Sequence, residues 1–244
     1  MPEGPSMVFL KEKLSPFIGQ KVIEVNGDSP KLAIKKLLNL KITDIKTYGK
    51  EIFICFQEIS VRIHLMLFGS YLINSKKDGK LKLGLKLKEG EINFYACNVS
   101  LITEPLDSLY DWSVDVMNDK WDREKAKNKL KDISDSLICD ALLDQHIFAG
   151  VGNKLKDELL FDAKIHPESL VGKVPEKKIK AIFDIVVDKS FEYLKWDKEG
   201  RPDGFLKVHK QDLCPVHNIK LSSKTLGKTK RKTEFCEICQ KLYK

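Results

Sequence analysis

The 244-residue sequence has no apolar run approaching the ~18 residues that a membrane span requires. Its first residues also lack the basic region and apolar stretch of a secretory signal, so a soluble protein of an intracellular, reducing compartment is expected. It contains no internal repeat and no low-complexity tract, which argues against solenoids and compositional linkers. Cysteine is sparse: Cys55, Cys97 and Cys139 each stand alone among apolar neighbours, the usual setting of a small buried hydrophobe in a reducing compartment. Acidic residues are the minority charge, 35 against 43 basic ones, for a net charge of +8. That balance makes a polyanion a plausible partner without identifying one. What is present in quantity is apolar residue, 42% of the chain, enough to build real cores over a length that suits two domains and to exclude wholesale disorder.

The positive charge is not spread evenly. From Cys214 to Lys244 there are eight basic residues and only Glu234 and Glu237 to oppose them. The same segment holds Cys214-x2-His217 and, eighteen residues on, Cys236-x2-Cys239. Two ligand pairs at this spacing are those of a tetrahedral zinc site, each knuckle placing two donors on one side of the metal. Four protein ligands leave no position open for water, so a single structural Zn2+ is expected rather than a catalytic one. Between the pairs, KLSSKTLGKTKRKTEF gathers its lysines and arginine around a glycine. This pattern predicts a β-hairpin that carries cations towards phosphate, or else a merely solvated basic loop.

Along the chain, Gly4 and Pro5 precede a helix-like run from Met7 to Leu14 that Pro16 and Gly19 end. From Lys21 to about Leu101 short β-rich runs alternate with glycine and charge, which predicts an antiparallel sandwich or barrel. After a linker around EPLDSLYDWS the spacing becomes helical in REKAKNKLKDI, DSLICDALLDQ, NKLKDELLFDAKI and EKKIKAIFDIVVDKSFEYLKWD. WDKEGRPDGFLKVHKQDL then reads as a loop. In QHIFAGVGNKLKDELL, Gly150 and Gly152 flank a turn and Asn153 is suited to cap the following helix; the backbone N–H groups there could alternatively form an anion site.

The N-terminal MPEGP admits two readings. Termini tolerate almost any residue. Alternatively, once Met1 is removed, Pro2 offers a secondary α-amine, with an unperturbed pKa of about 7.7 to 8.0, beside the carboxyl of Glu3.

Taken together and in this order, MPEGP, YGK at 48–50, HLMLFGS at 64–70, QHIFAGVGNKLKDELL with AKIHP, and a terminal finger with RKTEFC resemble the formamidopyrimidine-DNA glycosylase and endonuclease VIII family of bifunctional DNA repair enzymes. The resemblance spans essentially the whole chain. It implies an α+β architecture: an N-terminal catalytic β-sandwich with flanking helices (1–115), a helix-two-turn-helix domain (122–212) and a zinc-finger β-hairpin (213–244), with DNA in the cleft between domains. Carried over by motif, Pro2 matches the nucleophile, Glu3 the acid beside it and Lys50 a lysine that contacts phosphate near the lesion. Asn153 matches the asparagine of the helix-two-turn-helix turn, and Arg231 the finger arginine that grips the backbone flanking the lesion. Met66, Leu67 and Phe68 fall where the family fills the gap left by an everted nucleotide, although three apolar residues here could equally be strand core.

The implied chemistry is attack of the Pro2 amine on sugar C1′, a cationic iminium, and strand cleavage by β- and δ-elimination. Glu3 would supply the proton as general acid. A helix start beside it would also favour the charged carboxylate, the wrong state for an acid. The implied partner is damaged double-stranded DNA, met by a monomer without membrane involvement, in the cytoplasm of a bacterium or the nucleus of a eukaryote.

Three features depart from the family pattern. The finger has His217 where four cysteines are common, a change that zinc accepts. Ser6 stands where many relatives carry a second glutamate. Val99 and Leu101 lie near the places where the formamidopyrimidine branch carries an arginine-phenylalanine pair, which favours the endonuclease VIII branch and oxidised pyrimidines over formamidopyrimidines or 8-oxoguanine. The rival reading from another class is a non-catalytic zinc-finger nucleic-acid-binding protein, which accounts for the charge and the finger and leaves Pro2-Glu3 unexplained.

Overall fold

The computed structural model describes residues 2–28 and 34–244, so the predicted removal of Met1 concerns a residue outside those described. The chain divides into two compact units: Ser6–Tyr110 with the N-terminal pair 1–2, and Asp111–Lys244 with Glu3–Pro5. The boundary falls inside the segment EPLDSLYDWS, which folds as the one-turn helix α2 (Leu106–Leu109), after α1 (Gly4–Leu14), and a 3-10 turn at Trp112–Val114.

The first unit carries two four-stranded antiparallel sheets. One has the order β1 (Val22–Asn26), β6 (Leu81–Leu87), β7 (Gly90–Tyr95), β5 (Ser70–Ile73); the other runs β2 (Asp44–Tyr48), β3 (Glu51–Cys55), β4 (Ser60–His64), β8 (Asn98–Ile102). Alternation builds β4, where Val61 and Ile63 are buried and Arg62 and His64 are not fully so. Strand β3 is interior and buried from Ile52 to Cys55, its second face covered by Tyr110, whose ring lies 4.9 Å from that of Phe53. Met7, Leu10 and Leu14, spaced for one helix face, join Ile45, Ile54, Ile63, Leu85 and Phe94 in a single core. Val99 belongs to that core and Leu101 packs against it.

The second unit is helical: α3 (Arg123–Lys131), α4 (Ile138–Ala141), α5 (Asn153–Asp162) and α6 (Glu176–Lys198). Ile179, Ile182, Phe183, Val186 and Tyr193 form the inward face of α6, and Phe183 stacks on Phe148 with centroids 5.5 Å apart. Two expectations are corrected here. DSLICDALLDQ yields one helical turn only, because Asp144 accepts a hydrogen bond from the His146 N–H at 2.8 Å and closes a side-chain turn. Helix α6 runs on through Lys198, so the following loop starts later than its sequence suggests. Among the described residues no helix is long and apolar enough to cross a membrane.

The C-terminal strands β9 (Ser222–Leu226) and β10 (Arg231–Phe235) form the expected hairpin around Gly227, whose φ is +69°. Among the described residues, the buried cluster there comprises Phe161, Val208, Cys214, Leu221 and Cys236, with Cys239 packed against it. So small a core needs a second source of stability, such as a metal.

Candidate functional site

In the second unit, Glu3 is 1% exposed and sits on the N-terminus of α5. Its Oε2 accepts hydrogen bonds from the N–H groups of Gly152 (3.1 Å) and Leu155 (3.2 Å), and its Oε1 from that of Lys154 (2.8 Å). Three of the orphan donors at a helix start are thereby satisfied by one carboxylate 149 to 152 residues away in sequence. The expected anion site therefore exists, and the anion is the protein's own. The two glycines follow from this: a Cβ on Gly152 would lie 2.3 Å from Glu3 Cδ, and one on Gly4 would lie 2.9 Å from Gly150 Cα. Gly4 N–H also donates to the Gly150 carbonyl at 2.9 Å, and Gln145 braces the turn by accepting from Gly150 N–H at 3.1 Å and donating to the Val151 carbonyl at 3.0 Å. Pro2, half-buried, immediately precedes this anchored carboxylate.

Asn153 does not cap α5. Gly152 occupies the cap position, and the Asn153 side chain instead donates to the Lys232 carbonyl of β10 at 2.8 Å. Lys156 is fully buried, its ammonium 2.9 Å from Asn153 Oδ1, 2.6 Å from Thr233 Oγ1 and 3.0 Å from Asp157 Oδ1. Asp157 Oδ2 meets His209 Nδ1 at 2.7 Å, and the same ring nitrogen lies 3.4 Å from Glu234. Glu158 accepts from the backbone N–H groups of Lys207, Val208 and His209 at 2.9 to 3.0 Å. Three consecutive charged residues are thus inside the protein, although residues of these types are rarely buried without partners. Burial pushes the Asp157 carboxyl up to about 6, against the opposing pull of His209 and Lys156.

Asp157, His209 and Glu234 bring donor atoms within 4.8 Å of one another. The Lys156 ammonium beside Asp157 makes this a proton- and charge-sharing cluster, since a divalent cation there would face a fixed positive charge. Arg231 opens β10, half-buried, and its guanidinium makes no hydrogen bond or ion pair among the described residues.

In the first unit, Lys50 occupies the two-residue turn between β2 and β3, after Gly49 with φ +55°. Met66, Leu67 and Phe68 are not strand core. They form the loop between β4 and β5 and are 43%, 51% and 86% exposed. The loop is tightly held: Gly69 N–H donates to the Leu65 carbonyl at 2.7 Å, Met66 N–H donates to His64 Nδ1 at 3.0 Å, and Met66 has φ +56°. Burial keeps His64 below the ordinary imidazole value, consistent with its role as acceptor in that bond.

The four finger donors converge as their spacing predicts. Cys214 Sγ lies 3.7 Å from Cys239 Sγ, and His217 Nδ1 lies 3.9, 4.0 and 3.2 Å from the sulfurs of Cys214, Cys236 and Cys239. Sulfurs ~2.3 Å from a tetrahedral centre stand ~3.8 Å apart, so this donor set fits a metal ion. Burial opposes ionisation of Cys214, but the N–H groups of His217 and Val216 outweigh it and bring the thiol down to about 6. Burial and the neighbouring sulfurs push Cys239 up to about 12, an opposition that a bound cation removes.

Residues 113–199 match the formamidopyrimidine-DNA glycosylase H2TH domain. Mouse Endonuclease 8-like 3 is 31% identical over 208 residues, 81% of this chain and 34% of that protein. Mouse Endonuclease 8-like 2 is 26% identical, covering 98% of this chain and 96% of that protein. The chain spans about a third of the length of the curated relatives it matches first. Among solved structures, the Lactococcus lactis formamidopyrimidine-DNA glycosylase bound non-covalently to DNA containing an AP site superposes with a TM-score of 0.87 at 23% identity, over 98% of this chain and 99% of that one. With the fold matched end to end, the H2TH turn seated on Glu3 and the finger donors converged, the chain carries the H2TH domain of formamidopyrimidine-DNA glycosylase and is similar in sequence to the endonuclease VIII side of that family.

Proposed function

We propose that this protein is a bifunctional DNA glycosylase and AP lyase of base excision repair, acting on oxidised bases, pyrimidines in preference, in double-stranded DNA inside the cell. The observation that carries the reading is the Glu3 carboxylate, buried and held by three N–H groups directly after Pro2. The same bonds that satisfy the helix-start donors fix the carboxylate immediately after the residue that would carry the N-terminal amine once Met1 is removed.

Once Met1 is removed, the Pro2 nitrogen attacks C1′ of the damaged nucleotide, the C1′–base bond breaks with its electron pair leaving on the base, which takes a proton from solvent, and the nitrogen gives up its own proton. Glu3 accepts hydrogen bonds at both oxygens, so it enters the reaction as a proton acceptor. It takes the proton leaving Pro2 and returns it to the ring oxygen as C1′–O4′ opens, which makes it the acid of the second step. The iminium left behind acidifies C2′; loss of that proton expels the 3′ phosphate, and a second elimination expels the 5′ phosphate. Lys50, in its turn, would hold a phosphate near the lesion, Asn153 and Arg231 the flanking backbone, and Met66, Leu67 and Phe68 the space vacated by the everted nucleotide. Cys214, His217, Cys236 and Cys239 would hold one structural Zn2+ with no position left open for chemistry. Val99 and Leu101, packed in the sandwich core, supply no polar probe for the base opposite an oxidised purine, which supports the pyrimidine preference.

The test is borohydride trapping. Protein verified by mass to begin at Pro2 is incubated with duplexes carrying an oxidised pyrimidine, an oxidised purine or an abasic site. A covalent adduct, strongest with the oxidised pyrimidine, is expected; absence of any adduct with all three removes the catalytic reading.

A further inference from the structure

The hairpin that carries Arg231 is fastened on both sides of that residue, and one of the fasteners lies outside every motif in the sequence. Asp140, on the one-turn helix α4, points its carboxylate into the β9–β10 turn. Its Oδ2 accepts from the Lys228 N–H at 2.8 Å, and its Oδ1 from the Thr229 N–H at 3.2 Å and the Thr229 hydroxyl at 3.1 Å. The carboxylate is so close that a Cβ on Gly227 would lie 2.3 Å from Asp140 Oδ1; this glycine is demanded by the neighbour as well as by its φ of +69°. On the other side, Asn153 of α5 holds the Lys232 carbonyl at 2.8 Å and Lys156 holds Thr233 Oγ1 at 2.6 Å.

Arg231 lies between these two fastenings. Its backbone is fixed from two helices, while its guanidinium is bonded to nothing among the described residues and has Lys228, Lys230 and Lys232 as sequence neighbours. A planar cation with a fixed base, a free fork and a positive surround is arranged for an anion with paired oxygens, which is the geometry of a phosphodiester. Such preorganisation removes the ordering cost that a free hairpin would meet on binding.

We propose that Asp140 is a positioning residue for the phosphodiester grip of Arg231: it touches no DNA itself and acts by locking the hairpin turn. The inference rests on the proposed DNA-binding role of Arg231, and a double-mutant cycle separates the two.

Affinity for an undamaged duplex and for a duplex with a stable abasic analogue is measured against salt for the full chain, R231A, D140A and the double variant, each with matched zinc content and melting temperature. R231A is expected to weaken both duplexes roughly tenfold and to flatten the log K against log salt slope by about 0.9, the signature of one lost phosphate contact. D140A should reproduce most of both changes, and in the R231A background it should add nothing.

If R231A leaves affinity unchanged, the DNA grip assigned to Arg231 is wrong and the proposal falls with it. If R231A weakens binding while D140A does not, or the two losses add, the grip stands and the role of Asp140 is overturned. Should D140A fail to fold, T229V removes a single bond to the same carboxylate with shape kept, and it must show a smaller loss that again vanishes in the R231A background.

Discussion

Two regions of this protein invert the ordinary rule of hydropathy in opposite senses. The loop between β4 and β5 puts Met66, Leu67 and Phe68 outside, Phe68 being 86% exposed; helix α5 puts Lys156, Asp157 and Glu158 inside. An exposed phenylalanine forgoes about 1.5 to 3 kcal/mol of burial, and a buried charge is tolerable only with partners. The difference lies in where compensation is found. The α5 charges are answered within their own unit, by Thr233, His209, Asn153 and the Lys207–His209 backbone. Phe68 has no ring contact among the described residues, and its loop is nonetheless held by tight backbone bonds. The buried charges therefore read as scaffold, partnered within the free protein, and the exposed apolar triple as a surface made for an occupant.

The largest effect should come from the buried side. Glu3→Gln replaces one accepting oxygen with an amide that faces backbone N–H groups, and removes the only proposed proton carrier. Base excision should fall by about 10² to 10⁴-fold, while DNA binding and the retained Pro2 amine persist; excision at the normal rate in single-turnover assays would contradict the assignment. Lys156→Met comes next. It strips the cation from a fully buried site and leaves Asp157, Asn153 and Thr233 facing each other, at an expected loss of about 3 to 5 kcal/mol. Denaturant unfolding with zinc present measures this, and a loss below 1 kcal/mol would mean that the network is ornamental to stability.

The exposed side should behave in the opposite way. Phe68→Ala should change stability by no more than about 0.5 kcal/mol, as for other exposed positions. It should nevertheless slow excision from duplex DNA, on the order of tenfold, and spare single-stranded substrate, where no stacked neighbour has to be replaced. Equal slowing on both substrates would return the loop to an ordinary surface role. The contrast between stability lost without a contact to substrate in Lys156→Met, and activity lost without stability in Phe68→Ala, is what separates scaffold from working surface.

What could be read from the sequence follows the range of the interactions concerned. The metal donors, the hairpin and the sandwich strands were legible because knuckle spacing, a glycine turn and period-two alternation are local patterns. The GxGN turn was legible as a feature but not in its wiring. Asn153 has the right chemistry for a cap, yet the cap is Glu3, which approaches from the far end of the chain. Helical periodicity marks Leu155 and Leu159 as core and carries no signal that Lys156 to Glu158 are buried; their partners come from the hairpin and the Lys207–His209 segment, distant in sequence. Asp140 carries no sequence signal at all, since its partners are backbone groups of a turn 88 residues away.

The smallest predicted effect tests the electrostatics of the buried region directly. Burial holds the Asp157 carboxyl up at about 6, above the ordinary value of 3.8. The folded state therefore binds a proton there more tightly than the unfolded chain does. Its contribution to stability is full below pH ~4 and is lost as pH rises through about 6, with a total on the order of 3 kcal/mol. Asp157→Asn keeps an oxygen for His209 and cannot ionise, so it should be slightly less stable than the parent at pH 4.5 and gain on it steadily up to pH 7.5. Taking the difference between the two proteins at each pH, with the finger zinc-loaded in both, cancels titrations they share, including those of the metal ligands. A difference that does not vary with pH, or that shrinks as pH rises, would mean that His209 and Lys156 stabilise the ionised carboxylate more strongly than burial opposes it. Lys156 would then be the dominant member of the cluster, and the loss predicted for Lys156→Met should sit at the upper end of its range.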